Sequence, residues 1–378
     1  MTKRLVQGNE AVLLGAVKAG ASFFAGYPIS PSSEILAQAS VYAASHPEFR
    51  FIQEEDEIAS ANAILGGSLA GAKSFTATSG PGFSLMQEAI GYGHKVGIPC
   101  VIVNVMRVGP GTGMPTMPGQ GDLNQARYGS SGDYTSFAFY PASVVECYEY
   151  AIRAFNAAEE TRSPVILLSD AWLGHLNEVV DLDAIDVPVV PRTLEPIASG
   201  GIRLFSSVAT YPDGEPATAD SDEFIRQYQE MRKHRLEVAE RYAFYEYGWN
   251  KDSDTLAIAY GITRRAAAPL AADFALFRPI RMWPTLDAEL TEIASRYKKV
   301  VVIEGSDGQY ANVVERMLLR RVERVPLLGG RISIEAIREG LAAIGMLPAR
   351  SATAAPESPA SAGSRSAGSR SAGSRSAG

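Results

Sequence analysis

Apolar and polar positions along the chain follow two alternating periods. Residues 9–21, NEAVLLGAVKAGA, place apolar side chains at helical spacing and end at Gly20, a C-terminal stop signal. SFFAGYP at 22–28 is a short apolar run closed by proline and reads as a strand. ISPSSEILAQAS then opens a helix. Ser30 or Ser32 can cap it, Pro31 suits its first turn, and Glu34 favours the N-terminal dipole. The unit recurs with the strand SFTAT at 74–78 and a helix that starts at the turn around Pro81. PCVIVNVMR (99–107) and PVILLSD (164–170) are two more continuous apolar strands. Strands that are apolar throughout and alternate with helices predict an α/β fold, with a parallel sheet covered on both faces.

From about 180 to 250 the pattern changes. DLDAIDVPVVPRTLEPIASGG is acidic and Pro-rich and reads as an extended connection. DSDEFIRQYQEMRKHRLEVAERYAFYEY reads as a charged amphipathic helix on a surface. A second, smaller α/β unit starts near 254. TLAIAYG, PIRMWP and KKVVVIEG are its expected strands, with helices at about 263–275, 286–297 and 309–322. The expected division is 1–190, a connecting segment at 191–252, a smaller domain at 253–348, and a tail at 349–378. The tail repeats SAGSR, has no apolar face and is expected to be disordered.

Charge and cysteine usage narrow the function classes. Net charge is −7, and the last 28 residues carry three Arg and one Glu, so the body is nearer −9. That argues against nucleic acid as the main partner but leaves room for small anionic ligands. The two cysteines, Cys100 and Cys147, form no CxxC motif and read as buried reduced thiols. They are too few to hold an iron–sulfur cluster or structural zinc in this chain alone. The start, MTKRLVQGNEAV, has no apolar core of signal-peptide length, and no run reaches the roughly 18 residues of a membrane span. A cytoplasmic protein is expected.

Four loops carry candidate chemistry: YPISPSSE at 27–34, QEEDEIASANA at 53–63, TSGPGFS at 78–84, and MRVGPGTGMPTMPGQGD at 106–122. Ligands of open α/β sheets sit at the carboxyl ends of the strands, where three of these loops begin. The second holds four consecutive acids, Glu54, Glu55, Asp56 and Glu57, that lead into a helix of small residues. A carboxylate held there against packed backbone is suited to proton chemistry; the alternative is that the acids are solvated or pair with the helix N-terminal dipole. TSGPGFS is a Gly-rich strand-to-helix turn, with anion binding as its alternative reading. GPGTGMPTMPGQG reads as a mobile loop over a site. Arg107 closes a strand at the same end, where a guanidinium can grip a carboxylate through two hydrogen bonds, or form a surface ion pair.

These stretches resemble the α subunits of 2-oxoacid:ferredoxin oxidoreductases, most closely the 2-oxoglutarate branch. The resemblance rests on GNEA (8–11), AGYPISPSSEI (25–35), FIQEEDEIAS (51–60), GAKSFTATSGPGFSLMQE (71–88), IPCVIVNVMRVGPGTGMPT (98–116) and QGDLNQARYGSSGD (120–133). PVILLSDAWLGH (164–175) and the Gly308-Gln309 pair extend it. It implies a pyrimidine-type thiamine-diphosphate-binding domain followed by a transketolase C-terminal-like domain. It implies oxidation of a 2-oxoacid with CoA to acyl-CoA, CO2 and reduced ferredoxin. Glu57 falls on the family glutamate that hydrogen-bonds the aminopyrimidine. Ser30 and Arg107 fall on the substrate-carboxylate positions. Tyr27, Pro28, Ser79 and Gly80 fall among the expected cofactor contacts.

The chain departs from the family pattern in three places. Ser30 stands where the family has threonine, Gly111 where it often has serine, and Met117 where it has a lysine. The GDG…NN motif that holds magnesium and diphosphate in thiamine enzymes is absent. The resemblance therefore implies half a cofactor site. A β subunit is expected to bring Mg2+, the diphosphate contacts and a [4Fe-4S] cluster. A separate γ subunit is expected, with δ as a further candidate. Branched-chain, pyruvate and indolepyruvate oxidoreductases, and a non-catalytic scaffold, remain the alternatives.

Overall fold

Alternate residues of the VIVNVMR segment pack into two different cores. Val101, Val103 and Val105 face one hydrophobic cluster, and Ile102 and Met106 face another. A strand buried on both faces needs apolar residues at every step, which explains its continuous apolar sequence. In a computed structural model, residues 3–197, 199 and 207–348 are described, and the SAGSR tail lies outside them.

The strands, in chain order, are β1 Arg4–Gln7, β2 Phe23–Gly26, β3 Arg50–Gln53, β4 Ser74–Thr78, β5 Cys100–Val108, β6 Met114–Pro118, β7 Phe137–Phe139, β8 Pro164–Asp170, β9 Asn177–Val180, β10 Tyr245–Trp249, β11 Thr255–Ala259, β12 Ala275–Pro279, β13 Arg281–Trp283, β14 Lys299–Glu304 and β15 Glu323–Pro326. The larger sheet runs β13-β7-β8-β5-β4-β2-β3, with β6 added against β5. Its pairs from β7 through to β3 are parallel. The smaller sheet runs β10-β12-β11-β14-β15 and is parallel except at β10. β1 and β9 form a separate antiparallel pair.

One cluster packs the Gly8–Lys18, Ser33–Ser45 and Val144–Thr161 helices on one face of the larger sheet. The second is shared by both sheets. Ile102, Ile166 and Leu168 join Leu256, Ile258 and Val302 through Trp283 and Tyr310. The third covers the outer face of the smaller sheet.

The long apolar strands lie where their sequences place them. Other expectations need correction. PIRMWP is not a strand of the smaller sheet. The chain leaves that sheet at Pro279, and Arg281–Trp283 pairs antiparallel with β7 of the larger one. The helix expected at 263–275 spans Gly261–Ala267 with a 3-10 turn after it, stopped by Pro269. FYEY does not continue the charged helix, which ends at Arg241; Tyr245–Trp249 is an edge strand. Ser32 occupies the N-cap position of its helix, but its hydroxyl donates to the Ile29 carbonyl instead of capping. Pro31 precedes that helix and lies outside its first turn.

Both cysteines are buried and free, as expected. Burial pushes the Cys100 thiol up to about 12, so it is inert as a nucleophile. Among the described residues, no helix is long and apolar enough to cross a membrane.

Candidate active site

The four consecutive acids separate by burial. Glu55 is exposed, Glu54 and Asp56 are half-buried, and Glu57 is 5% exposed. Asp56 caps the Glu57–Leu69 helix, accepting from the Ala59 amide at 2.7 Å. As the first residue of that helix, Glu57 turns inward against the start of the next βα unit. A Cβ on Gly82 would stand 2.2 Å from Glu57 Oε1 and 2.3 Å from Thr78 Oγ1. Gly82 is therefore glycine for close approach, the carboxyl and the helix start occupying the space of a side chain.

Burial raises the Glu57 pKa above the usual carboxylate value. Its own backbone hydrogen bond opposes that, the Asp56 charge adds to it, and Arg107 opposes it. The hydroxyls of Thr76 and Thr78 in β4, and of Ser79 just after it, are buried and have no hydrogen-bond partner among the described residues. A buried hydroxyl without a partner is costly, so this group fits a ligand that brings polar atoms.

Arg107 lies near the end of β5 and is 6% exposed, which removes the reading of a surface ion pair. Its Nη1 donates to the Ser30 carbonyl at 2.7 Å, and its Nε has no partner among the described residues. Burial lowers its pKa, while Asp122 and then Glu57 support its charge. Ser30 thus meets Arg107 through its backbone. Tyr27 and Pro28 are exposed on the rim at the end of β2. Ser79 is fully buried at the cap of the Gly80–Leu85 helix but does not cap it with its side chain. That helix is only six residues long, and the anion-binding reading of TSGPGFS gains no support from it.

A cavity of about 680 Å³ opens beside Arg107. Gly80, Arg107 and Asp122 line one side, and Gly305, Asp307 and Gln309 line the other. Glu57, Ser30 and Tyr27 stand outside this lining. The GPGTGMPTMPGQG segment forms a β-hairpin with the end of β5, and its turn at 109–111 lines the cavity. β6 folds back on β5, with Gly111 and Gly113 at positive φ in the turn. The hairpin returns the chain to place Asp122 beside β5, where its Oδ2 accepts from Asn104 Nδ2 at 3.0 Å. The reading of candidate residues missed Thr78, Gly82, Asn104 and Asp122. Asn104 carried a visible signal, a polar residue inside an otherwise apolar strand.

Residues 14–243 match the family model described as pyruvate flavodoxin/ferredoxin oxidoreductase, thiamine diphosphate-binding. The chain belongs to this family. It is 41% identical over 350 residues to the 2-oxoglutarate synthase subunit KorA of Archaeoglobus fulgidus, covering 90% of this chain and 98% of that one. It is 33% identical to the ketoisovalerate oxidoreductase subunit VorB of Methanothermobacter thermautotrophicus, covering 90% and 98%. Among solved structures, the 2-oxoglutarate:ferredoxin oxidoreductase of Magnetococcus marinus, with 2-oxoglutarate, coenzyme A and succinyl-CoA bound, superposes with a TM-score of 0.81. That match has 28% identity and covers 90% of this chain and 65% of that one. A split-gene transketolase matches with a TM-score of 0.53 at 15% identity, covering 89% and 98%, which shows a shared fold. Family membership and fold together establish a thiamine-diphosphate-binding α/β protein of transketolase type. Among the described residues, no cluster of His, Cys, Asp and Glu could hold a metal ion.

Proposed function

We propose that this chain is the α subunit of a cytoplasmic, thiamine-diphosphate-dependent 2-oxoacid:ferredoxin oxidoreductase. Its substrates would be 2-oxoglutarate and CoA, and its products succinyl-CoA, CO2 and reduced ferredoxin. The carrying observation is the buried Glu57 carboxyl, its pKa raised by desolvation, packed against Gly82 and next to unpartnered hydroxyls. When bound, thiamine diphosphate supplies an acidic carbon that adds to the 2-oxoacid carbonyl and stabilises the charge left when CO2 departs. Glu57 would hold the aminopyrimidine, keeping a proton at a carboxyl oxygen and sharing it with a ring nitrogen. General acid–base participation of this kind contributes about 10²–10⁴-fold. Ser79 and Gly80, with Tyr27 and Pro28 on the rim, would border the cofactor. Arg107, anchored by the Ser30 carbonyl, would orient the substrate carboxylate with its remaining N–H groups.

The sequence lacks the magnesium and diphosphate motif, so a β subunit would complete the cofactor site and bring a [4Fe-4S] cluster. Exposed apolar side chains flank the site: Tyr27, Ile52, Ile58 and Leu85 are each 37–49% exposed. Such residues beside a half-site suit a partner surface. Separate γ and δ subunits would complete the assembly.

A second reading takes a branched-chain 2-oxoacid as substrate. Among the described residues that line the cavity, Arg107 is the one cation, beside Asp122 and Asp307. Met117 stands where the resemblance calls for a lysine. This chain offers the distal carboxylate of 2-oxoglutarate no cation of its own there. Co-purification with a tagged chain, followed by viologen reduction on a 2-oxoacid panel, tests both readings. The expected result is a complex containing an iron–sulfur subunit that reduces viologen with 2-oxoglutarate and CoA. Preference for 2-oxoisovalerate selects the second reading, and no activity with any 2-oxoacid overturns both.

A further inference from the structure

At the edge of the larger sheet opposite Arg107, basic side chains gather with no acid paired to them. His94 and Lys95 lie in the last turn of the Gln87–Val96 helix, just before β5 begins at Cys100. Arg107 stands near the other end of that strand, about 20 Å away. Arg232 and Arg235 reach the same place from the charged Ser221–Arg241 helix. Among the described residues, none of Lys95, Arg232 and Arg235 has a carboxylate within 4 Å.

Arg235 is 4% exposed. Carbonyls at the ends of two helices hold it: its Nη2 donates to His94 at 2.6 Å and to Arg162 at 3.3 Å, and its Nε donates to Thr161 at 3.3 Å. These dipoles fix the guanidinium but leave its charge uncompensated. The His94 imidazole is 1% exposed, and neither ring nitrogen has a hydrogen-bond partner among the described residues. Burial, then Arg235 and Arg127, lowers its pKa well below the usual value. The ring is therefore neutral, with one N–H to donate and one nitrogen to accept. Both face unpaired toward a cavity, a cost that a polar ligand removes.

That cavity has a volume of about 330 Å³, within the range of small-molecule sites. One wall is a single face of the Ser221–Arg241 helix, where Phe224, Tyr228, Met231 and Arg235 recur at helical spacing. Residues 131–135 form the opposite wall. Gly91 leaves no room for a side chain beside Ser130 Oγ, so this segment packs close to the helix that carries His94. The Tyr134 ring lies 4.7 Å from the His94 ring. Among the described residues of the lining, Asp133 is the one acid, and it is exposed. We propose that this cavity binds a small organic anion, a carboxylate or phosphate ester with a flat apolar part. His94, Lys95 and Arg232 take the anionic group, with the Arg235 charge behind it, and Phe224, Tyr228 and Tyr134 take the apolar part. Such a site is independent of the roles of Glu57 and Arg107.

The test is isothermal titration calorimetry of the assembled complex with phenyl phosphate, benzoate, inorganic phosphate and neutral benzyl alcohol. Phenyl phosphate is expected to bind with a Kd below about 1 mM, and benzoate more weakly. Inorganic phosphate should bind more weakly than its phenyl ester, and benzyl alcohol should give no detectable binding. K95Q and R232Q should each weaken phenyl phosphate about fivefold or more, and raising salt to about 0.5 M should weaken it as well. Y228A should weaken phenyl phosphate and benzoate alike, and R107Q should leave both unchanged. Absence of binding by phenyl phosphate and benzoate overturns the proposal. Binding that K95Q and R232Q leave unchanged lies elsewhere and overturns it too, as does loss of binding in R107Q. Equal binding of benzyl alcohol overturns the recognition of charge, and equal binding of inorganic phosphate overturns the apolar wall. If K95Q fails to assemble, R232Q decides, because Arg232 is exposed.

Discussion

The carboxyl of Glu57 and the backbone of Gly82 share space that a single methyl group would fill. A Cβ on Gly82 would stand 2.2 Å from Glu57 Oε1. Gly82→Ala is therefore expected to push Glu57 out of place while it retains every titratable group. Turnover of the assembled complex should fall at least about tenfold, an effect of the size of a lost acid–base contribution. Viologen reduction by the purified complex measures it. Wild-type turnover would show that the close approach has no catalytic weight.

Glu57→Gln removes the proton-holding group and keeps its shape. Assembly should persist, and 2-oxoacid oxidation should fall at least about tenfold. Size-exclusion chromatography checks the first expectation and steady-state kinetics the second. Near-normal turnover in an intact complex would remove Glu57 from the chemistry.

Asp170, fully buried at the end of β8, should make the fold sensitive to pH in a defined window. Its Oδ1 accepts the Trp172 and Leu173 amides, and its Oδ2 accepts the Tyr140 hydroxyl. Burial outweighs these bonds and pushes its pKa from 3.8 up to about 6. Below about pH 4 the group is protonated in both the folded and unfolded chain. Between about pH 4 and pH 6 the unfolded chain loses its proton first, so stability falls as pH rises. Above that window the penalty is constant, on the order of 3 kcal/mol. Urea denaturation of wild type and Asp170→Asn at about pH 4 and about pH 6.5 isolates this group. The stability difference between the two proteins should move against wild type as pH rises, and a pH-independent difference contradicts the assignment.

Gln120 ties the two sheets together through a fully buried side chain. Gln120→Leu leaves the Gly305 amide without its partner, while the Tyr260 carbonyl keeps only the Thr263 hydroxyl. Each buried polar group left unpaired costs about 1–3 kcal/mol. Thermal unfolding should show a clear drop in midpoint, larger than for Gln309→Ala at the surface. Equal effects of the two substitutions would refute the difference drawn from burial.

Much of this molecule was readable from local pattern. PVILL is continuously apolar because β8 is buried at every residue, and SFTAT is made of small, β-branched and aromatic residues because β4 is buried likewise. That the acidic run stands at a helix start was readable, but which of its acids caps the helix was not; Asp56 does so. Polar or very short strands such as Arg50–Gln53 and Phe137–Phe139 were not readable, since they carry neither a clear period nor enough length. In the site, the neighbourhood of Glu57 and Arg107 followed from their motifs. That these two share an electrostatic environment with Asp122 did not.

The sequence by itself determined the α/β layering, the strands at its centre, and the loops at their carboxyl ends, because these depend on side-chain period and on residues adjacent in the chain. Tertiary structure alone decided three things. It sent Arg281–Trp283 across to the larger sheet, folded β6 back to deliver Asp122, and set Gly82 against Glu57. Each joins residues distant in the chain, or fixes an atom-scale approach, and a local hydrophobic pattern encodes neither.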